Sequence, residues 1–252
     1  MNFEAVALLG LAGFAAGILN AIAGGGTIFT FSALLALGMP PVAANATSAA
    51  AVVLGSVASA LAYRREIVAA FRRLLPLVAV SLVCGALGAW LVLLSGDGLF
   101  GTLVPWLLLL ATAMFAFSRG IARLGARLAG PATGPRPVWP AVLLQGAVAV
   151  YGGYFGAGMG VMMLATLALT ENAGFHAVNA AKNLLSIVLQ AMAVAVFLAA
   201  GAVDPAASLV IAVAGIAGGW SGVHLARMLP LPVVRAFVIV SGLALSAWYF
   251  LA

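Results

Sequence analysis

Charge is what this sequence has least of. Only 6% of its 252 residues are Asp, Glu, Lys or Arg, where a soluble domain carries about 25%, so no water-facing surface can be assembled from it. There is one cysteine, Cys84, set inside an apolar run. A disulfide framework is thereby excluded and the redox compartment stays unread. Lys182 is the single lysine, and the five acids (Glu4, Glu66, Asp97, Glu171 and Asp204) all map to helix ends or loops. With two histidines, no paired carboxylates, no HExxH and no Ser/His/Asp set, the chain offers nothing to an intramembrane hydrolase or a metal site. It is not expected to be an enzyme or to need a cofactor.

What is present is apolar. Hydrophobic residues make up 65% of the chain and the mean hydropathy is +1.24, which makes it an integral membrane protein. Strands of an outer-membrane barrel would alternate polar and apolar residues over about ten positions. Here the runs are continuous and long enough to cross about 30 Å of hydrocarbon as helices. Apolar segments fall near 4–23, 27–38, 42–63, 74–95, 100–118, 139–159, 161–170, 174–200, 204–228 and 231–252. The fold class is therefore an all-α polytopic membrane protein with about 8–10 membrane segments. The start, "MNFEAVALLGLAGF", lacks a basic n-region and reads as a retained helix rather than a cleaved signal.

Two segments, 27–38 and 161–170, are too short to span, and each follows a glycine cluster, "AGGGT" or "GGYFGAGMG". Whether they cross fully or form re-entrant hairpins is open at this level. An Arg/Pro-rich stretch at 119–138 reads as a cytoplasmic linker between a first half, 1–118, and a second, 139–252. Shifting the chain by 134 residues places Gly24 and Gly26 on Gly158 and Gly160, Asn45 on Asn179, and Gly85 and Gly88 on Gly219 and Gly222. One constant offset across five landmarks points to a duplication.

Charge placement orients the halves. All ten arginines lie within 64–73, 119–136 and 227–235, whereas the connections near 39–41, 95–98 and 201–204 have none. Positive residues stay cytoplasmic, which accounts for the net charge of +6 without any nucleic-acid partner; the partner is the lipid bilayer. Repeat-related connections then fall on opposite sides, so the halves are inverted-topology repeats of the kind found in secondary transporters. The expected location is the bacterial cytoplasmic (inner) membrane, with both termini extracytoplasmic.

Irregular backbone at membrane depth survives only where it is buried in protein or lines a cavity. Glycine clusters also expose successive N–H groups, and with the start of a following half-helix these attract anions. The candidate anion site therefore comprises Asn20, Gly24, Gly25, Gly26, Thr27, Asn45, Thr47 and Ser48 from the first half. The second contributes Gly156, Gly158, Gly160, Asn179, Lys182 and Asn183. Each has a plainer reading: glycines can merely pack helices, asparagines can cap them, and Lys182 can snorkel to the interface. Glycine pairs such as Gly85/Gly88 read as packing, whereas the clusters recur beside short segments and read as sites. Glu171 and His176, in the turn 171–176, read as solvated turn residues, with proton coupling as the weaker alternative. "GAGMG" has the outward look of a dinucleotide loop, but that requires a strand and a βαβ unit in water.

These motifs, taken in order, resemble a known family. "GFAAGILNAIAGGGTIFTFSALLALGMPPVAANATSAAAV" followed by "AYRREI" is similar to the first repeat of the TauE/SafE sulfite exporter family, and "YGGYFGAGMGVMMLATLAL" with "HAVNAAKN" to its second. The resemblance implies transport of small sulfur oxyanions or organosulfonates, such as sulfite or sulfoacetate. It carries over onto the two glycine clusters, the "NATS" segment and its counterpart "NAAKN". There the Thr47–Ser48 pair is replaced by Ala181–Lys182, a departure able to tune the substrate.

Energetics gives a direction. With the cell interior negative, each negative charge leaving gains about 2.3 kcal/mol per 100 mV, so export needs no intramembrane carboxylate. The leading expectation is a secondary transporter exporting small sulfur-containing anions by alternating access. An anion channel with the same lining, or a non-transporting structural membrane protein, are the alternatives. A homodimer is compatible with this architecture, and no residue of the sequence specifies it.

Overall fold

The computed structural model describes all residues except 23–25, 63, 130–137, 171–174, 226–230 and 252. Side chains at 21–22, 55–62, 64–67, 69–70, 119, 121–129, 138, 168–170, 175–176, 222–225 and 231–235 also lie outside the description. The described chain is helical, with no strand: α1 (Phe3–Ile22), α2 (Thr27–Ala36), α3 (Pro41–Ala62), α4 (Arg64–Ala129), α5 (Val138–Tyr154), α6 (Met159–Thr170), α7 (Phe175–Ala199), α8 (Pro205–Leu225) and α9 (Leu231–Leu251). The all-α membrane architecture is thus as expected. Three described stretches, Phe3–Asn20, Phe71–Ser118 and Ala177–Ala199, are long and apolar enough to cross a membrane. Large apolar side chains such as Trp90, Trp106, Trp220 and Leu251 point outward, as a lipid-facing surface requires.

Helix α4 holds two segments. Gly96 interrupts it with φ 63° and ψ 173°, a conformation open essentially to glycine alone, and the chain folds into two arms there. Among the described residues nine helices, one of them folded, correspond to the ten apolar segments read from the sequence. The boundaries differ in one respect. Residues 64–73 and 119–129, read as arginine loops, belong to the helical run of α4. Arginine, alanine and leucine are good helix formers, so a change from apolar to basic does not have to end a helix.

Element order repeats across the chain. Helices α1, α2, α3 and the two arms of α4 match α5, α6, α7, α8 and α9 in sequence under the 134-residue shift. Packing repeats with it: α1 lies along α8, and α5 lies along α4. Both contacts are glycine-mediated. A Cβ on Gly17 would collide with the Gly215 carbonyl, and one on Gly218 with the Phe14 carbonyl. In the other pair, a Cβ on Gly88 would meet the Val150 carbonyl and one on Gly153 the Gly85 carbonyl. Gly85 and Gly88 therefore act as packing residues, because backbones approach this closely only where no side chain intervenes.

The short helices sit inside. Helix α2 has 10 residues, about 15 Å at 1.5 Å per residue, half of what a crossing needs. Its Ile28, Thr30, Phe31, Ser32, Ala33 and Leu34 are all buried. It ends at Gly38, whose φ of 78° lets Gly38 N–H donate to Leu35 O at 2.9 Å and Met39 N–H to Leu34 O at 3.2 Å. This reciprocal closure satisfies the last carbonyls of the helix. Helix α7 closes in the same way at Gly201, whose N–H donates to Leu198 O at 3.0 Å while Ala202 N–H donates to Phe197 O at 3.0 Å.

The arginine-free connections meet at one end of the molecule. Val42 N–H, in the first turn of α3, donates to the Asp97 carboxylate at 2.9 Å. The Asp204 N–H donates to the Thr47 hydroxyl at 3.0 Å. Asp204 also caps α8, accepting from Ala207 N–H at 3.0 Å, as expected of an aspartate before a proline-led helix.

Candidate substrate site between the two halves

A narrow cleft opens where the two halves meet. Its free space is about 10 Å³, room for about one water molecule, so a larger ligand enters only if the walls move apart. The first half contributes Thr27, the first residue of α2, and Asn45 from α3. The second contributes Gly152, Gly153 and Gly156 at the end of α5 and Gln190 from α7, with Phe155 and Phe197 as apolar wall. Thr27, which follows the first glycine cluster, and Gly156 of the second thus border one space, and every polar side chain on its wall among the described residues is neutral.

Asn45 is 3% exposed and its amide donates to the Tyr154 carbonyl at 3.0 Å. That bond ties α3 of the first half to the end of α5 in the second, directly beside the cleft. Phe155 belongs to an aromatic cluster with Phe31, at 5.4 Å between ring centroids, and Phe100, at 6.3 Å. The Tyr154 hydroxyl shares a 3.1 Å hydrogen bond with Ser95, anchoring this wall to the bend of α4.

The breaks are closed differently. At the first, the Gly26 N–H donates to the Asn20 side-chain oxygen at 2.9 Å, and Asn20 is not part of the cleft wall. Gly24 and Gly25 lie outside the described residues. At the second, Gly156 and Gly158 both have φ 79°, and the Tyr151 hydroxyl donates to the Ala157 carbonyl at 2.6 Å. The N–H groups of Ala157, Gly158 and Gly160 meet no acceptor among the described residues. Such groups, at the start of α6, form the anion-attracting end of a half-helix.

Lys182 stands next to this second break. A Cβ built on Gly160 would lie 4.0 Å from Lys182 Cδ, so the lysine stem passes over the glycine, and its ammonium has no partner among the described residues. Asn179 and Asn183 share its stretch of α7 and are half-buried. His176 lies in the first turn of α7, with its side chain outside the described residues, as is Glu171 altogether. Ser48 and Thr47 stand away from the cleft. Ser48 pairs with Thr30 at 2.7 Å, and Thr47 holds the backbone of Asp204.

Gln190 is the cleft residue that a reading of motifs overlooks, since it belongs to no glycine cluster. Helical spacing could have found it. Asn179, Lys182 or Asn183, Ser186 and Gln190 follow at three- or four-residue intervals along α7, which puts them on one face of the helix.

A helical membrane bundle with a cleft between its N-terminal and C-terminal helices, bordered by short helices, fits the class of polytopic membrane transporters. The family model described as "Sulfite exporter TauE/SafE" matches residues 9–249. The chain belongs to the sulfite exporter TauE/SafE family. A "probable membrane transporter protein" of Haemophilus influenzae is 25% identical over 98% of this chain and 95% of its own length. A second protein of that description, from Sinorhizobium, is 26% identical over 98% of this chain and 92% of its own. No solved structure matches the chain significantly.

Proposed function

We propose that the chain exports small sulfur-containing anions, sulfite or an organosulfonate such as sulfoacetate, across the cytoplasmic membrane by alternating access. The cleft bordered by residues of both glycine breaks is the observation that carries this reading. A substrate held there would touch Thr27 and Asn45 of one half and Gly156 and Gln190 of the other, so relative movement of the halves would expose it to either side. Residues 1–118 and 139–252 act as oppositely oriented repeats joined by the cytoplasmic stretch 119–138, with both termini outside. Lys182 and the free N–H groups at the start of α6 draw the anion from the cytoplasmic side. The membrane potential then drives it outward at about 2.3 kcal/mol per charge per 100 mV. Proton coupling through His176 or Glu171 is not required by these energetics.

The test is flux in proteoliposomes. Saturable sulfite movement, accelerated by sulfite on the opposite side, is expected of alternating access, whereas linear flux without trans-stimulation would mark a channel. Lys182→Ala is expected to lower kcat/KM for sulfite about tenfold, the loss of one modest attraction between charge and anion. Unchanged kinetics in folded protein would remove Lys182 from the mechanism.

A further inference from the structure

We infer that Gln190 is a substrate-reading residue, and that Ser186, one turn earlier on α7, hands the anion to it along a polar stripe running from Lys182 to the cleft. This rests on the transport reading above and assigns a contact within it.

Gln190 is 7% exposed and lines the cleft, yet its carboxamide makes no hydrogen bond among the described residues. Other buried amides in the bundle donate to protein groups, although the Gln145 Oε1 atom is enclosed without a partner among the described residues. Asn45 donates to Tyr154 O, and Gln145 donates to the Ser81 hydroxyl at 2.8 Å. The polar atoms of Gln190 are not enclosed as Gln145 Oε1 is; they open onto the cleft, where a hydrogen-bond partner can reach them. An amide that faces the cleft without a protein partner among the described residues is placed to bond something the cleft admits.

Ser186 points to the same ligand chemistry. It is 9% exposed, and its hydroxyl donates to the Met163 sulfur at 3.1 Å. A thioether is a weak acceptor, so an incoming oxyanion oxygen would win that proton. Lys182, Ser186 and Gln190 are spaced four residues apart, about 6 Å of helix rise per step. Each step shifts the anion from charge towards neutral donors. Neutral donors bind an anion firmly enough to orient it and loosely enough to release it, as a carrier requires. In the first half the positions matching Lys182 and Gln190 are Ser48 and Ser56, so the long polar side chains lie on α7 alone of the two related helices.

The experiment uses full-length protein in proteoliposomes, with sulfite and methanesulfonate as probes. Gln190→Met, which keeps the volume and removes the amide, is expected to raise KM at least about tenfold, since hydrogen bonds to charged groups are among the stronger ones, with kcat changed less. Gln190→Glu is expected to abolish transport through repulsion, while Gln190→Asn recovers part of the KM loss. Unchanged KM in Gln190→Met overturns the assignment. Absence of saturable flux in the unaltered protein overturns the transport reading instead.

Should the Gln190 variants fail to fold, a labelling measurement leaves Gln190 intact. In a Cys84→Ala background, Ala49→Cys places a thiol on the half-buried wall of the same cleft, and methanesulfonate is expected to slow its reaction with a maleimide. Lack of protection in protein that transports methanesulfonate places the anion elsewhere and overturns the assignment.

Discussion

Glycine plays three separable roles in this protein, and the surroundings of each residue distinguish them. At Gly153 the demand is space, because an added methyl would run into the Gly85 carbonyl of the facing helix. Gly153→Ala is therefore expected to cost about 1–3 kcal/mol through overpacking, seen as a lower melting temperature in detergent. Gly10 sits in α1 with nothing within 4 Å. Gly10→Ala is expected to leave stability unchanged or raise it by up to about 1 kcal/mol, the ordinary helix preference for alanine. At Gly156 and Gly158 the demand is conformation, a φ of 79° in each, and Gly156 forms part of the cleft wall. The sequence distinguished clusters from isolated pairs by recurrence alone. Only the structure assigns Gly85 and Gly88 to helix contact and Gly156 to the cleft wall. Among polar residues, Asn45 lines the same cleft as Thr27 and Gly156. Thr47 and Ser48 of the same motif turn to Asp204 and Thr30, because successive residues of a helix face different directions.

At the scale of elements, the bend of α4 and the two half-length helices shape the molecule. Gly96 has φ 63° and ψ 173° with nothing within 4 Å of a would-be Cβ, so backbone conformation rather than crowding reserves the position. Gly96→Ala is expected to cost about 1–3 kcal/mol. Gly98, equally uncrowded and without a positive φ, should accept alanine within about 0.5 kcal/mol. Thermal unfolding of the pair in detergent checks this, and equal behaviour would remove the conformational account. The bend also brings Asp97 to the first turn of α3, a cap supplied from 55 residues away that no local motif reveals. Helices α2 and α6 were legible as short apolar runs after glycines. That α2 is enclosed, and so need not satisfy lipid, follows from packing against α1 and α3.

For the whole molecule, the arrangement of ends is the most direct thing to test. The arginine-free connections converge through Val42–Asp97 and Thr47–Asp204, as a shared external face would require. In a Cys84→Ala background, Gly201→Cys is expected to react with a membrane-impermeant thiol reagent added to intact cells, and Gly120→Cys only after permeabilisation. The reverse pattern would invert the topology and, with it, the proposed path of the anion. The chain alone determined that this is a helical membrane protein, where its segments lie, that its halves share an element order, and which family it resembles. Those properties follow from hydrophobic run length, the distribution of arginine, and motif spacing, which act locally or repeat at fixed intervals. That Thr27, Gly156 and Gln190 line one cleft, and that Asn45 ties to Tyr154, were decided by tertiary structure. They depend on how close glycine-lined helices from different halves can come, and that distance is set by packing between segments far apart in the chain.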